Sequence, residues 1–488
     1  MGAQATDANH AQAADAIQTL RNIALGGMAA GGAYLAGKSL LQSLNHDGQT
    51  QHASESVEQY ERAGTRILIL GAGFGGLMTA LQLDRRLGRA RDASILLVDR
   101  GNTQLYFPLL WTVADGRANP NDAMVPLRSL QRGRSFHVLH AEIEGIDLDK
   151  REVQTSAGPR PYDILVLGLG SVTAIPDVQG LRDHALLFHS PADALQLRNH
   201  VIEALEMAHQ CEDAEERQAW LTFVVGGGGD TGCELAATIN DYLRRGLLKE
   251  YPWLVTASQR VVVVEQAPRL LPLSKEEVSA EVQRILVAQG VDVRTDARIE
   301  RVTGREVHTT RGAIPAHTLF WAAGISAPDV VRALPVGHER NGALTVDGNL
   351  RLPGRPEVYV VGDAAWINDA VSGDPVPPTA QAAEQEGRYV AHAIAAQVAG
   401  QPLPPPFHYS SRGHFTLLGG HTAVDEVGPA VLTGLPAWLL WHGYYLAHIP
   451  SWHNRARLAA DWALAALVGR ETGELRLDTE VPAGAARG

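Results

Sequence analysis

The sequence predicts an α/β fold with parallel sheets, closed by a helical, aromatic-rich C-terminal region. Three observations predict it. From Thr65 onward, short apolar runs alternate with helical stretches, the pattern of strands covered by helices on both faces. Two glycine-rich loops, GAGFGG (Gly71–Gly76) and GGGGDTG (Gly226–Gly232), each follow such a run. Four of the nine tryptophans lie between Leu435 and Leu467, beyond the Pro-rich hinge PLPPP (Pro402–Pro406).

Composition narrows the function classes. A length of 488 residues fits about two to four domains of roughly 100–200 residues each. A formal net charge of -12 argues against nucleic acid as a partner, because neutralising phosphates needs clustered Lys and Arg. Cys211 and Cys233 make no disulfide framework, no metal quartet and no C-x-x-C pair, so no metal is expected and a reducing compartment is.

Residues 1–64 are expected to be an appendage, poorly ordered or loosely helical, rich in Ala and Gln and without strand signals. Ile23–Gly37 is apolar but Gly-rich, shorter than the ~20 apolar residues of a spanning helix, and followed by Lys38. The start is not basic, which argues against a secretory signal, and Asp7 and Asp15 argue against a transit peptide. The opening MGAQAT fits a myristoylation pattern too loose to carry weight.

The first unit then takes shape. Ile67–Leu70 is an unbroken apolar run, the mark of a strand buried on both faces. Gly71, Gly73 and Gly76 follow in G-x-G-x-x-G spacing, then a helical stretch to about Leu87, then an apolar strand, Ile95–Val98, ending in Asp99. Gly71 permits the tight turn, Gly73 lets backbone approach a pyrophosphate, and Gly76 lets helix and strand pack closely. Asp99 can accept hydrogen bonds from ribose hydroxyls. The second unit repeats this order: strand Leu221–Val225, Gly227, Gly229 and Gly232, a helix from Cys233 to Leu243, and strand Val261–Val264 ending in Glu265. Two complete Rossmann-like units imply two dinucleotides. Glu265 points to NAD over NADP, since a 2'-phosphate would meet a carboxylate. Asp230 is the odd residue, an acid where a pyrophosphate is expected. It favours the helix dipole but competes with a bound anion, at about 1 kcal/mol at ~4 Å through water.

The ordered set GAGFGG, LGLGS (Leu167–Ser171), second loop, WAAG (Trp321–Gly324) and VVGDAA (Val360–Ala365) resembles the two-dinucleotide-domain FAD/NAD flavoproteins over about residues 65–400. The resemblance implies a FAD site in which Asp363 holds the ribityl chain, with Gly170 and Gly324 at the cofactors. It also implies a domain plan: FAD-binding parts at 65–180 and 316–400, an NADH-binding domain at 181–315, and a membrane-association or dimerisation region at 401–488. Cysteine pairs of the thiol-relay members are missing from YFPLLWTVADG (Tyr106–Gly116). PPTAQAAEQEG (Pro377–Gly387) is similar instead to the A-Q-x-A-x-Q segment of type II NADH dehydrogenases, the single-chain NADH:quinone oxidoreductases. Gln381 and Gln385, four apart, share a helix face, and the resemblance implies that this face lines a quinone pocket beside the flavin. It likewise places Glu234 where nicotinamide and quinone approach the flavin, as a proton-handling acid. This chain departs from the family at Asp230, usually Pro or an aromatic, at Gly226, usually Val, at Thr112 and Asp115, and at Gln179.

In the tail, Asn454, Arg457 and Asp461 share one helix face while Leu458, Trp462 and Ala465 share another, so the segment is expected to lie flat on a membrane with its aromatic rings at headgroup depth. His442, His448 and His453 show no metal spacing. The expectation is thus a peripheral protein on the cytoplasmic face of the cell membrane, a homodimer, that passes a hydride from NADH to FAD and two electrons on to a membrane quinone without proton pumping. Two other readings stay open: a soluble, ferredoxin-reductase-like NADH-dependent flavoprotein with a dimerising tail, and a flavin-bearing interaction or sensor protein whose NADH site has decayed.

Overall fold

The computed structural model describes residues 53–88, 93–428 and 430–475. The chain separates into Met1–Ser56 and Val57–Gly488. Expectations for residues 1–52, Ile23–Gly37 among them, lie outside the described residues; the end of the appendage is helix α1 (Ala53–Glu61).

In chain order, the elements that position the site begin with β1 (Thr65–Leu70), α2 (Phe74–Leu87), β2 (Ala93–Asp99), β3 (His137–His140) and β4 (Ile164–Leu167). There follow β5 (Ala185–Leu187), α3 (Pro191–Gln210), β6 (Thr222–Gly226), α4 (Asp230–Asp241), β7 (Arg260–Val264), α5 (Glu276–Ala288), β8 (Asp292–Arg294) and β9 (Thr318–Trp321). The last group is β10 (Arg351–Leu352), β11 (Arg355–Val360), α6 (Ala380–Val398), β12 (His414–Leu417), β13 (Ala423–Val427), β14 (Ala430–Gly434), α7 (Leu435–His448) and α8 (Trp452–Leu467).

The α/β expectation holds, with two sheets of matching design. The first has the order β10-β11-β4-β1-β2-β3, and every pair is parallel except β10 with β11. The second runs β5-β9-β6-β7-β8, all parallel. The glycine-loop strands β1 and β6 occupy equivalent central places. Ile67, Leu68, Ile69 and Leu70 are all fully buried, as are Phe223, Val224 and Val225. Burial of each such side chain contributes about 1.5–3 kcal/mol. A central strand so placed holds its C-terminal loop rigidly at the sheet's carboxyl edge, where ligands of open α/β sheets bind.

Helices α2 and α6 cross glycine to glycine. A Cβ on Gly387 would lie 2.4 Å from the carbonyl oxygen of Gly75, and one on Gly75 would lie 2.8 Å from Cγ2 of Val361. That close crossing sets the start of α6, with Gln381 and Gln385, over the first glycine loop.

The C-terminal region is a three-stranded antiparallel sheet, β12-β13-β14, followed by the α7–α8 helix pair. The flat-lying arrangement expected for α8 is corrected in detail. Its polar residues face the protein: Asn454 Nδ2 donates to the carbonyls of Asn121 (3.2 Å) and Met124 (2.9 Å), Arg457 pairs with buried Asp122 (3.3 Å), and Asp461 accepts from the Asn119 amide (3.3 Å). Leu458 is fully buried. The rings of Trp438, Trp441 and Trp462 turn inward around His442, with centroids 3.8, 4.8 and 4.5 Å from it. Burial in that aromatic cage holds His442 neutral, at a pKa of about 3. The exposed apolar side chains are instead Leu439, Leu440, Trp452, Leu464, Leu467 and Val468. No described helix is long and apolar enough to cross a membrane.

After α8 the chain turns back under the first unit. Asp115, with no exposed side-chain surface, is held by Arg117 Nε (2.6 Å) and Arg470 (3.4 Å), and Arg470 also pairs with Asp241. The Glu471 amide donates to the Gly116 carbonyl (2.9 Å), and Gly116, at φ +73, leaves no room there for a Cβ. Asp115 thereby anchors the returning tail.

Candidate active site

Both glycine loops are built by the same contacts. The Gly71 amide donates to the Val98 carbonyl and the Gly227 amide to that of Val264, each at 2.8 Å. Gly71 (φ +91) and Gly227 (φ +111) take turns that L-residues with a Cβ rarely adopt. A Cβ on Gly76 would sit 2.0 Å from the Gly71 oxygen, and one on Gly232 would sit 1.9 Å from the Gly227 oxygen. These positions are closed by the protein itself. Gly73 and Gly229 differ, because nothing lies within 4 Å of a Cβ built on either. Each is the N-cap of its helix, α2 or α4, with no side chain capping the first turn. Free N–H groups beside open space at a helix N-terminus make an anion cradle, so both loops fit a dinucleotide pyrophosphate.

The acids that close β2 and β7 also match. Asp99 accepts from the Ala72 amide (2.6 Å) and the Gly101 amide (2.7 Å). Glu265 accepts from the Gly228 amide (2.6 Å) and the Ala267 amide (2.7 Å). Each carboxylate is thus aimed along its loop, where a ribose would lie.

The FAD-side residues converge. Asp363 sits in the short turn Gly362–Ala364 after β11 and accepts from Ser171 Oγ at 2.7 Å, which places Gly170 beside it. Burial raises the Asp363 carboxyl above its ordinary range. Gly168, not singled out from the sequence, rather than Gly170, abuts the first loop: a Cβ on Gly71 would meet its oxygen at 2.3 Å. Glu386 was also missed. Its carboxyl accepts from the Gly362 amide (2.5 Å), and burial pushes it up to about 8. Gly324, at φ +78, ends the WAAG turn, and its carbonyl accepts from the Ala174 amide (3.1 Å).

Gln381 and Gln385 do share a face of α6, and the structure commits both amides to backbone. Gln381 donates to the Gly413 carbonyl (2.7 Å) and accepts from the Arg412 amide (3.0 Å). Gln385 donates to the Ser410 carbonyl (2.9 Å) and accepts from the Ser410 amide (3.0 Å). They strap the segment leading into β12 against the helix.

Glu234 lies in the first turns of α4, buried, and accepts from the Leu417 amide of β12 at 3.0 Å. Burial raises its carboxyl well above the ordinary range; the Leu417 hydrogen bond opposes that, and the nearby acids Asp230 and Asp425 reinforce it. An aromatic row spans the space from the first loop to α7: Phe74 to Tyr106 (5.4 Å), Tyr106 to Tyr445 (6.3 Å), and Tyr445 to Phe415 (6.4 Å). Phe74, Tyr106 and Tyr445 lie in segments whose sequence carries a signal; Phe415 does not. The partners of β12 on α4 lie some 180 positions from it, and no local pattern signals them.

Cys233 is buried against the Gly228 carbonyl, its thiol pushed up by burial, and Cys211 is free. Among the described residues no group of His, Cys, Asp or Glu is placed to hold a metal.

Paired parallel sheets, each with an anion cradle and a terminal acid, define a flavoprotein with two dinucleotide sites. The chain belongs to the pyridine nucleotide-disulphide oxidoreductase family, whose model matches residues 65–387. It is similar to type II NADH:quinone oxidoreductase NdhA of Mycobacterium tuberculosis, 30% identical over 434 residues that cover 85% of this chain and 90% of that protein. It is also similar to demethylphylloquinone reductase NdbB of Synechocystis, at 30% identity with 82% of this chain and 96% of that protein covered. In fold it resembles NDH2 of Plasmodium falciparum, solved in complex with NADH, with a TM-score of 0.76 at 19% identity over 83% of this chain and 99% of that one.

The two kinds of glycine part under substitution. Gly76→Ala is expected to destabilise the protein by about 1–3 kcal/mol through overpacking and to lose FAD. Gly73→Ala, with open space on its protein side, is expected to leave the melting temperature of the FAD-free chain unchanged while weakening FAD retention, as checked by flavin absorbance after gel filtration. Equal loss of stability in both variants would contradict the cradle.

Proposed function

We propose that this chain is a type II NADH:quinone oxidoreductase: NADH gives up a hydride, and a membrane quinone gains two electrons and two protons, without proton pumping. The observation that carries the reading is the duplicated cradle, one for FAD beside Asp363 and one for NADH beside Glu265, together with the extent of likeness to quinone reductases across most of the chain. FAD, when bound, accepts the hydride and passes on its two electrons. This chain's residues do the rest. Gly71, Gly73 and Gly76 hold the FAD pyrophosphate, and Asp99 and Asp363 take its hydroxyls, with Gly170 and Gly324 lining the turns around it. Gly227, Gly229 and Gly232 hold the NADH pyrophosphate, and Glu265 selects against a 2'-phosphate. Of the two protons the quinone gains, one comes with the hydride and one must come from solution. In this reading Glu234, buried beside the Leu417 amide, carries the second at its carboxyl. Gln381 and Gln385 act by fixing the strap that Glu234 contacts.

The exposed apolar rim of α7 and α8 fits docking on a lipid surface, and the reading includes a homodimer on the cytoplasmic face of the cell membrane. In this arrangement Trp452 and the end of α8 enter the interface, while the inward tryptophans keep the helix pair folded.

Anaerobic NADH should bleach the flavin, and a short-chain quinone should then restore its colour; a flavin that NADH leaves oxidised would overturn the assignment. With NADPH, kcat/KM should fall by at least ~10-fold, because Glu265 would meet the 2'-phosphate. Glu234→Gln should retain FAD but slow the quinone step by roughly 10². The parent's quinone rate should fall as pH rises through the elevated range of Glu234, and that fall should flatten in the variant; stopped-flow reoxidation against pH checks both. Replacing Leu464, Leu467 and Val468 together by Gln should move the protein from vesicle-bound to free fractions in flotation, with FAD retained. Deleting the tail from Leu435 is a poorer test, because it also removes buried Trp441.

A further inference from the structure

Asp230 opens α4 at the mouth of the second cradle, where its charge opposes an incoming pyrophosphate. Its Oδ1 lies 2.6 Å from Nε2 of His414, the first residue of β12. The pair is open to solvent on one side, with 31% of the His414 side chain and 50% of that of Asp230 exposed. Acids reach the imidazole from two elements: Asp230 from α4, and Glu426 and Asp425 from β13, where Glu426 stands opposite His414 in the ladder. Glu426 is already matched by Lys275 at the start of α5 (2.6 Å). Asp425 is fully buried, with neither oxygen hydrogen-bonded, and burial pushes its carboxyl up to about 7. Asp230 is therefore the acid that His414 serves. The glutamine strap fixes Ser410–Gly413, and the Leu417–Glu234 hydrogen bond fixes the other end of β12, so the imidazole is held where it meets the carboxylate.

We propose that His414 is a positioning residue for NADH, one that holds and neutralises Asp230 so that the N-terminus of α4 stays open to the dinucleotide's pyrophosphate. The inference rests on the assignment of NADH to the second cradle. Burial lowers the His414 pKa, but the hydrogen bond and charge of Asp230, with Glu426 and Asp425, outweigh it and raise the pKa above the ordinary histidine range. The sign follows. NADH affinity is full while the imidazole is protonated and declines as pH rises through that elevated range, leaving Asp230 uncompensated.

The experiment measures half-saturation for NADH in anaerobic flavin bleaching, using the FAD-loaded full chain and three variants: His414→Ala, Asp230→Asn and the double substitution. His414→Ala should raise half-saturation about tenfold, the size of an uncompensated charge near a bound anion. The double variant should return to within about threefold of Asp230→Asn, because no charge is left to neutralise. From about pH 6 to about pH 9 the parent's half-saturation should rise, and in Asp230→Asn this rise should vanish. If His414→Ala loses FAD, His414→Gln, which keeps a hydrogen-bond donor without the charge, is read in its place, with a smaller rise expected. Half-saturation within about twofold of the parent in the His414 variant, with only a lower melting temperature, would overturn the proposal and leave a purely structural link. So would a double variant as weak as His414→Ala. Glu265→Ala separates the two levels of inference. If it shifts the NADH preference while the His414 variants do not respond, the cradle assignment stands and the His414 proposal alone falls. If neither responds, NADH does not use this loop and both fall.

Discussion

One short stretch of chain, Ser410–Leu417, holds the two nucleotide units in their working relation. Gln381 and Gln385 of α6 grip its first half through four backbone hydrogen bonds, and Glu234 and Asp230 of α4 grip its second half. Helix α6 is fixed to the first loop by the glycine crossing with α2, and α4 begins at the second loop. The strap therefore ties the first cradle to the second through side-chain contacts on both sides. A backbone amide that points at a buried acid tolerates little displacement, because a lost partner leaves a buried polar group unsatisfied at about 1–3 kcal/mol.

The acids of the two units differ in the partners they are given. Asp99 and Glu265 each accept from two backbone N–H groups, which fix the carboxylates along their loops. Glu234 has one such donor and is deeply buried, and burial raises its carboxyl despite the Leu417 hydrogen bond. Neither carboxyl oxygen of Asp425 has a hydrogen-bond partner, and burial raises it, only partly opposed by the charge of His414. Where backbone donors are few, burial governs a carboxyl's affinity for its proton.

The C-terminal helices continue from this sheet, since β14 leads directly into α7. Their tryptophans are mostly internal, packed at tilted and edge-on angles around His442, and the polar residues of α8 bind the loop around Asn119–Met124. Amphipathicity read from the sequence set Asn454, Arg457 and Asp461 on one face and Leu458 and Trp462 on another, but both sets turn toward the protein. A helix lying on a protein has the same period as one lying on lipid, and only the neighbour distinguishes them.

The sequence by itself determined the two units. Apolar strand, glycine spacing and terminal acid are local, each demanded by turn geometry or by close backbone approach, and so Gly71, Gly73, Gly76 and Asp99, with their counterparts Gly227, Gly229, Gly232 and Glu265, were legible one residue at a time. The role of Asp363 came from the order of motifs in a known family, and the structure brings it to Ser171. Tertiary structure alone decided which groups share a charge environment. Nothing near Asp230 in the chain predicts His414, and nothing near Gln381 predicts that its amide is bound to Arg412 and Gly413. Hydrogen bonds and charge pairs act over a few ångströms of space and carry no period along the chain, so residues 184 positions apart meet only when the fold is complete.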